Sequence, residues 1–316
     1  MTPSSAPEVL VIGSANTDLV VQTKRLPGPG ETLLGGTFFV ASGGKGANQA
    51  VAAALAGANV TFVACLGDDA FGKQALEGLR QKGIDTTYTL TDPDLSSGVA
   101  FILVDAQGEN SIVVASGANA ALSPVHLNAA APAFDRAAIC LLQLETPLPT
   151  VTRAVELAAQ RGLRVILNPA PARALPPDIL SGLFLLTPNE SEAEHLTGIR
   201  PHTEETARQS AEILRNRGVE SVLITLGARG ALLVTGQGAR RIPAPRVQVR
   251  DTTAAGDAFN GALACALSSG TPLEEAVAFA NCAGALAVTR QGAQPSLPSR
   301  SEIRELLVKC PGNPGR

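Results

Sequence analysis

Asp251 and Asp257 stand six residues apart in the stretch DTTAAGDAFNGA, with Ala254, Ala255 and Gly256 directly before the second carboxylate. Phe259, Leu263 and Leu267 follow at helical spacing, which puts Asp257 in the first turn of a helix whose apolar face points inward. Residues with almost no side chain leave the backbone N–H groups there able to converge on an anion, at the positive end of the helix dipole. A carboxylate beside such a cradle repels phosphate. It suits a base that takes a proton from an attacking hydroxyl. Helix capping by Asp257 is the competing reading, because Asp is a favoured cap.

Other polar groups recur at the ends of apolar runs. GSANTD places Asn16 and Asp18 two apart, on one face of an extended segment where they can grip adjacent hydroxyls; turn formation is the alternative. It lacks the GxGxxG spacing, so a dinucleotide site is not indicated. SGGKGANQA (42–50) is not a P-loop, but Gly43 and Gly44 permit close backbone approach to a ligand, and Lys45 and Asn48 add polar contacts at the start of an alanine-rich helix. Glu145 closes the run ICLLQLE. In TPNESEAE, Asn189 and Glu192 lie one helical turn apart, able to position hydrated Mg²⁺ or, equally, to cap a helix. TLGARG (225–230) is a tight glycine turn suited to backbone contact with a nucleotide.

The elements that must position these groups alternate. Strand-like apolar runs at 8–13, 60–67, 137–145, 163–170, 183–190 and 221–227 are separated by helical patterns at 46–58, 71–83, 149–162 and 204–218. That order predicts a single α/β domain over 1–316, a Rossmann-like three-layer α/β/α arrangement with a mostly parallel central sheet. Residues 16–42 and 97–116 break the alternation and predict a small antiparallel β lid, or else an ordinary edge hairpin. Phe38, Phe39, Phe101 and Ile112 make such a sheet apolar on one side, which predicts a homodimer formed through the lid. The proline-containing tail 311–316 reads as disordered.

Bulk properties exclude several classes. With 316 residues, a net charge of −3 and no charge run, the chain has no basic footprint for nucleic acid. No apolar stretch reaches the roughly 20 residues needed to span a bilayer, and the N-terminus lacks a charged region before its first apolar run. A cytoplasmic protein with no membrane partner is expected. The five cysteines are scattered and the three histidines form no cluster, so neither a zinc site nor a Cys/His nucleophile is favoured. Cys65, Cys140, Cys265 and Cys282 read as core residues.

GGKGANQAVAAALAGANV and DTTAAGDAFNGA resemble the two signature segments of the PfkB carbohydrate kinases. GSANTD, QLE, LNPAPA, TPNESEAEHLTG, ITLGARG and AVTRQGAQPS extend the resemblance from about residue 9 to 307. It implies ATP-dependent phosphorylation of a neutral sugar, D-ribose at its 5-hydroxyl. Asn16, Thr17, Asp18, Gly43, Gly44, Lys45, Asn48 and Glu145 would hold the sugar, with Asp257 as base and Ala254, Ala255 and Gly256 as anion hole. Asn189, Thr225, Leu226, Gly227, Ala228, Arg229, Gly230, Gly256, Asp257 and Asn281 would line the ATP site, with Glu192 acting on Mg²⁺ through water. A monovalent cation, K⁺, would sit at Asp251, Thr253, Ala287, Arg290, Gly292 and Ser296, largely on backbone carbonyls. Lys45 is the one cation in the expected sugar segments, which argues against a phosphosugar. Deoxyribose or another neutral-sugar or nucleoside kinase of the family is the near alternative. A sugar-binding regulatory protein without catalysis is the alternative from another class.

Overall fold

The computed structural model describes residues 8–310. Nine strands form one sheet, in chain order β1 (Glu8–Ile12), β4 (Asn59–Gly67), β5 (Thr89–Asp92), β8 (Ile139–Leu142), β9 (Arg164–Leu167), β10 (Leu185–Leu186), β11 (Ser221–Thr225), β12 (Ala231–Thr235) and β13 (Gly238–Ile242). Their spatial order is β13-β12-β11-β10-β9-β8-β1-β4-β5. All pairings are parallel except the β11-β12-β13 edge. Both faces are covered, which is why the strands read as unbroken apolar runs. Val9 and Val11 of β1 pack into one buried cluster, and Leu10 and Ile12 pack into the other.

The helices are α1 (Lys45–Leu55), α2 (Ala70–Gln81), α3 (Pro124–Ala129), α4 (Ala131–Arg136), α5 (Leu148–Ala159), α6 (Pro177–Ser181), α7 (Glu190–Thr197), α8 (Glu204–Asn216), α9 (Ala255–Ser268), α10 (Leu273–Ala287) and α11 (Arg300–Lys309). The four helical patterns read from sequence coincide with α1, α2, α5 and α8 to within a few residues at each end. Helices α1, α9 and α10 are rich in Ala and pack on one another, so they are buried over most of their lengths. As expected, Cys65, Cys140, Cys265 and Cys282 are buried, and Cys310 is half-buried.

A second sheet stands apart from the first, built from β2 (Asn16–Gln22), β3 (Thr37–Gly43), β6 (Gly98–Val104) and β7 (Asn110–Ala115) in the order β3-β2-β6-β7. Its outer pairs, β2-β3 and β6-β7, are antiparallel, and its inner pair, β2-β6, is parallel. The register sorts its apolar residues into two sets, because directly paired residues share a face. Phe101 pairs with Val113, and Val21 with Phe38, on one face. Ile112 and Phe39 fall on the other, with Asp18. The expected one-sided apolar set therefore divides. Phe38, Val40, Phe101 and Val113 form the outer patch, each at least 43% exposed. The expected disordered tail, 311–316, lies outside the described residues.

Candidate active site

The sheet diverges at β1: β4 follows on one side and β8 on the other. Open α/β sheets bind ligands in the crevice beyond the carboxyl ends of strands at such a point. Ser14, Asn16 and Asp18 follow β1, Glu145 follows β8, and the first turns of α1 and α9 supply Lys45, Asn48 and Asp257. A cavity of about 380 Å³ opens there, lined by Asn16, Asn119, Glu145, Arg173 and, from the lid, Val114.

Glu145 knits the floor together. Its Oε2 accepts from the Ser14 hydroxyl and from the Lys45 backbone N–H at 2.9 Å. The latter gives α1, whose N-cap residue Gly44 offers no side chain, a tertiary cap. Asn16 is fixed by Asn119, whose Nδ2 donates to the Asn16 Oδ1 at 2.8 Å. That bond turns the Asn16 amide donors away from Asn119.

Gly43 and Gly44 allow a closer approach than sequence reasoning assigned them, and it is to the chain itself. A Cβ on Gly43 would lie 2.3 Å from the Asp18 carboxylate. Gly44 has φ 86° and a Cβ there would meet the Asn16 N at 2.6 Å. Thr17 sits between Asn16 and Asp18 on β2 and its side chain falls on the opposite face, because successive side chains alternate. Only its backbone remains on the cleft side.

Asp257 is 6% exposed and carries two amide donors: Asn48 Nδ2 to its Oδ2, and Gln49 Nε2 to its Oδ1, both at 2.9 Å. Burial pushes its carboxyl up, and the Lys45 charge and the two amides oppose that rise. Asn48 Oδ1 is buried without a partner. A buried acceptor left open beside a carboxylate is a place for a ligand hydroxyl to donate. Helix α9 begins at Ala254 in the left-handed conformation (φ 57°), with no capping side chain. The Ala255 N–H reaches the Thr252 carbonyl at 3.3 Å, whereas those of Gly256 and Asp257 have no protein acceptor among the described residues. Gly256 is exposed. Capping does not occupy Asp257; its carboxylate turns to α1.

Burial, then the charges of Glu145 and Asp257, push the Asp18 carboxyl up to about 6 from an ordinary 3.8. The folded chain therefore holds that proton more tightly than the unfolded one. Its contribution to stability is full below 3.8 and is lost as pH rises through about 6. Asp18→Asn is expected to raise Tm at pH 7.5, with the gain shrinking toward pH 4. Calorimetric scans across that range check it, and a lower Tm at pH 7.5 would refute it.

Asn189 and Glu192 do form a capping box. Asn189 Oδ1 accepts from the Glu192 N–H at 2.8 Å, and the two Glu192 oxygens accept from the Asn189 backbone and side-chain amides at 2.8 and 2.9 Å. The box also fixes the Glu192 carboxylate at 8% exposure within electrostatic reach of Lys45 and Asp257. Burial raises its carboxyl, against the Asn189 backbone bond. Asn189 pairs with Thr225, so the turn 225–230 lies beside it. In that turn Gly227 and Gly230 have positive φ, and Leu226 is core. Ala228 is exposed within the turn, and Arg229 is drawn away by Glu190 and the carbonyls of Pro201 and His202. Asn281 Nδ2 donates to the Ile242 and Pro243 carbonyls, tying α10 to the end of β13.

Asp251 clasps two loops: Oδ1 accepts from the Thr253 N–H at 2.9 Å and Oδ2 from the Gly292 N–H at 2.8 Å. Burial alone would raise its carboxyl, but these bonds hold it below the ordinary value. Arg250 and Asp251 also donate to the Val288 carbonyl. The Arg290 side chain leaves to pair with Glu302, and the Ser296 hydroxyl donates to the Ala293 carbonyl at 2.7 Å. The Arg290 N–H donates to the Ala287 carbonyl. What the loops can offer a cation is main-chain oxygen, and no group of three or more His, Cys, Asp and Glu ligands exists among the described residues. Oxygen donors of this kind suit a hard cation.

Gln49, Asn119, Gln143 and Asn168, together with Ser14 and Arg173, join the site without having been singled out in the sequence. Arg173 adds a second cation to the sugar side, its Nη2 bonded to the Thr146 carbonyl at 2.7 Å.

Residues 6–300 match the family model described as pfkB family carbohydrate kinase. The chain belongs to the pfkB family of carbohydrate kinases. It is 45% identical to the ribokinase of Haemophilus influenzae, over 94% of this chain and 97% of that one. It is 40% identical to the deoxyribokinase of Salmonella typhi, over 95% and 98%. Its fold superimposes on the structure of Arabidopsis thaliana ribokinase complexed with ribose and ATP, with a TM-score of 0.90 and 35% identity, covering 96% of this chain and 99% of that one.

Proposed function

We propose that the chain transfers the γ-phosphoryl group of ATP to O5 of D-ribose, giving ribose 5-phosphate and ADP. One observation carries the reading: the buried Asp257 carboxylate, with the unpartnered Asn48 acceptor beside it, stands in the first turn of a helix where the Gly256 and Asp257 amides have no protein acceptor among the described residues. Asp257 takes the proton from the hydroxyl, the oxygen attacks the γ-phosphorus, and the amides of Gly256 and Asp257 receive charge on the transferring group. Its upward-shifted carboxyl is better matched to neutral-pH proton abstraction than an ordinary aspartate. Asn16, Asp18 and Glu145 read the sugar hydroxyls. ATP lies along Asn189 and the turn 225–230, closed off by the α10 segment that Asn281 holds.

Glu192 would hold Mg²⁺ through water, and the metal when bound neutralises phosphate charge. K⁺ belongs at the loops 251–253 and 287–296, where it would steady the helix start that carries the anion hole. Replacing K⁺ by Na⁺ is expected to lower kcat, and equal rates in the two salts would refute that role.

ADP release measured with ribose, deoxyribose, fructose, adenosine and fructose 6-phosphate tests the assignment. Fastest turnover with ribose supports it. Preference for deoxyribose would favour the kinship with the Salmonella typhi enzyme, and no turnover with any sugar would favour a binding protein. The protein acts in the cytoplasm and dimerises through the outer face of the lid. Phe101→Asp with Val113→Asp is expected to convert a dimer to a monomer in light scattering at micromolar concentration. A monomeric parent protein would count against the dimer.

A further inference from the structure

We propose that Gln49 is a positioning residue for Asp257, an interior amide that fixes one carboxylate oxygen so that the other faces the substrate. Gln49 is fully buried on α1 and touches no part of the cavity. Its Nε2 donates to Asp257 Oδ1 at 2.9 Å and to Asn168 Oδ1 at 3.1 Å, while its Oε1 accepts from Gln143 Nε2 at 2.7 Å. Asn168 in turn donates to the Thr187 carbonyl at 3.2 Å.

These bonds permit one orientation. A flipped Gln49 amide would set its oxygen against the Asp257 carboxylate and against Asn168 Oδ1, losing both donor bonds; Gln143, whose own Oε1 is unpartnered, could turn with it but could not restore them. The two oxygens of Asp257 are therefore unequal. Oδ1 is held from the interior by Gln49, whereas Oδ2 is held by Asn48, whose own Oδ1 is open. The Asn48 side, where an acceptor is left unpartnered, is the side we assign to the substrate hydroxyl.

Four charged groups bear on Asp257: Lys45 of α1, Asp18 of β2, Glu145 after β8 and Glu192 of α7. Three are negative. Donors on the carboxylate are thus needed to keep it ionised as well as placed. Asn48 shares its donor role with substrate binding, which leaves Gln49 as the contact present whether or not the sugar is bound.

The inference rests on the sugar-kinase reading for its kinetic test, but not for its second one. Gln49→Met keeps the volume and removes the donor. Its kcat at pH 7 is expected to fall by about 10-fold or more, as for a misplaced catalytic group, with KM for ribose nearly unchanged. The acid limb of the kcat profile should move to higher pH. Gln143→Met, which removes one of the three bonds that hold Gln49, should give a smaller loss in the same sense.

Carbon-13 carboxyl NMR of the sugar-free protein, with Asp257 assigned by its disappearance in Asp257→Asn, follows the group directly. Its titration should move upward in Gln49→Met. That result stands even if no sugar is turned over, so it separates a failure of the functional reading from a failure of the role of Gln49. An unmoved Asp257 titration in a Gln49→Met protein that melts cooperatively would overturn the proposal. So would equal losses in kcat and affinity with no displaced limb in both variants.

Discussion

Asp257→Asn is expected to lower kcat by roughly 10²–10⁴-fold while ribose continues to bind, the loss typical of removing a general base. The surrounding bonds make this a clean substitution. An amide at position 257 replaces one acceptor by an NH₂, which would oppose the NH₂ of Asn48 or of Gln49. Turning Gln49 would cost its bond to Asn168, whereas Asn48 can turn at no such loss: its Oδ1 is unpartnered, so a flip offers that oxygen to the new donor. The fold absorbs the change at Asn48, and removing a carboxylate that burial disfavours offsets part of any remaining cost. Steady-state kinetics with ribose calorimetry measure both halves of the prediction. Near-wild-type turnover would remove Asp257 from the chemistry, whereas loss of ribose binding alone would make it a sugar ligand.

The same site shows what a linear sequence discloses. The strand–helix alternation was legible because a parallel sheet covered on both faces leaves uninterrupted apolar runs, as in ICLL of β8. Asp257 was legible because it stands beside a conspicuous run of small residues. Gln49, Gln143 and Asn168 were not, because each is a single polar residue within or at the end of an apolar segment, and periodicity treats such residues as surface or noise. All three are buried, and their partners come from α1, β8 and β9 and from α9, far apart in the chain. Asn48 hinted at them by adjacency alone.

Helix α10 escaped for a related reason. LEEAVAFANCAGALA is apolar almost all round, so it presents no stripe to count. The lid shows the complementary limit. Its strands were readable locally, but the parallel β2-β6 pairing joins residues about eighty apart and no turn between them announces it. That register decides which apolar residues face outward and which face the cleft with Asp18.

Glu145→Ala is the second large effect, and it is expected to fall on binding. Its Oε2 joins the Ser14 hydroxyl to the first amide of α1, so the carboxylate holds together the ends of β1, β8 and α1 as well as facing the cavity. A hydrogen bond to a charged group is worth about 1.5–3 kcal/mol, so losing the sugar contact should raise KM for ribose by about 10- to 100-fold. The fall in kcat should be smaller, because Asp257 is held by Asn48 and Gln49 and not by Glu145. The pH profile adds a sign that packing damage would not produce. Glu145 is one of the negative charges that push the Asp257 carboxyl upward, so its removal should move the acid limb to lower pH. Gln49→Met should move it the other way. Opposed displacements would place the two residues on either side of one carboxylate, Glu145 acting through the cleft and Gln49 through the core. An unchanged KM in Glu145→Ala, or limbs displaced in the same direction, would break that assignment.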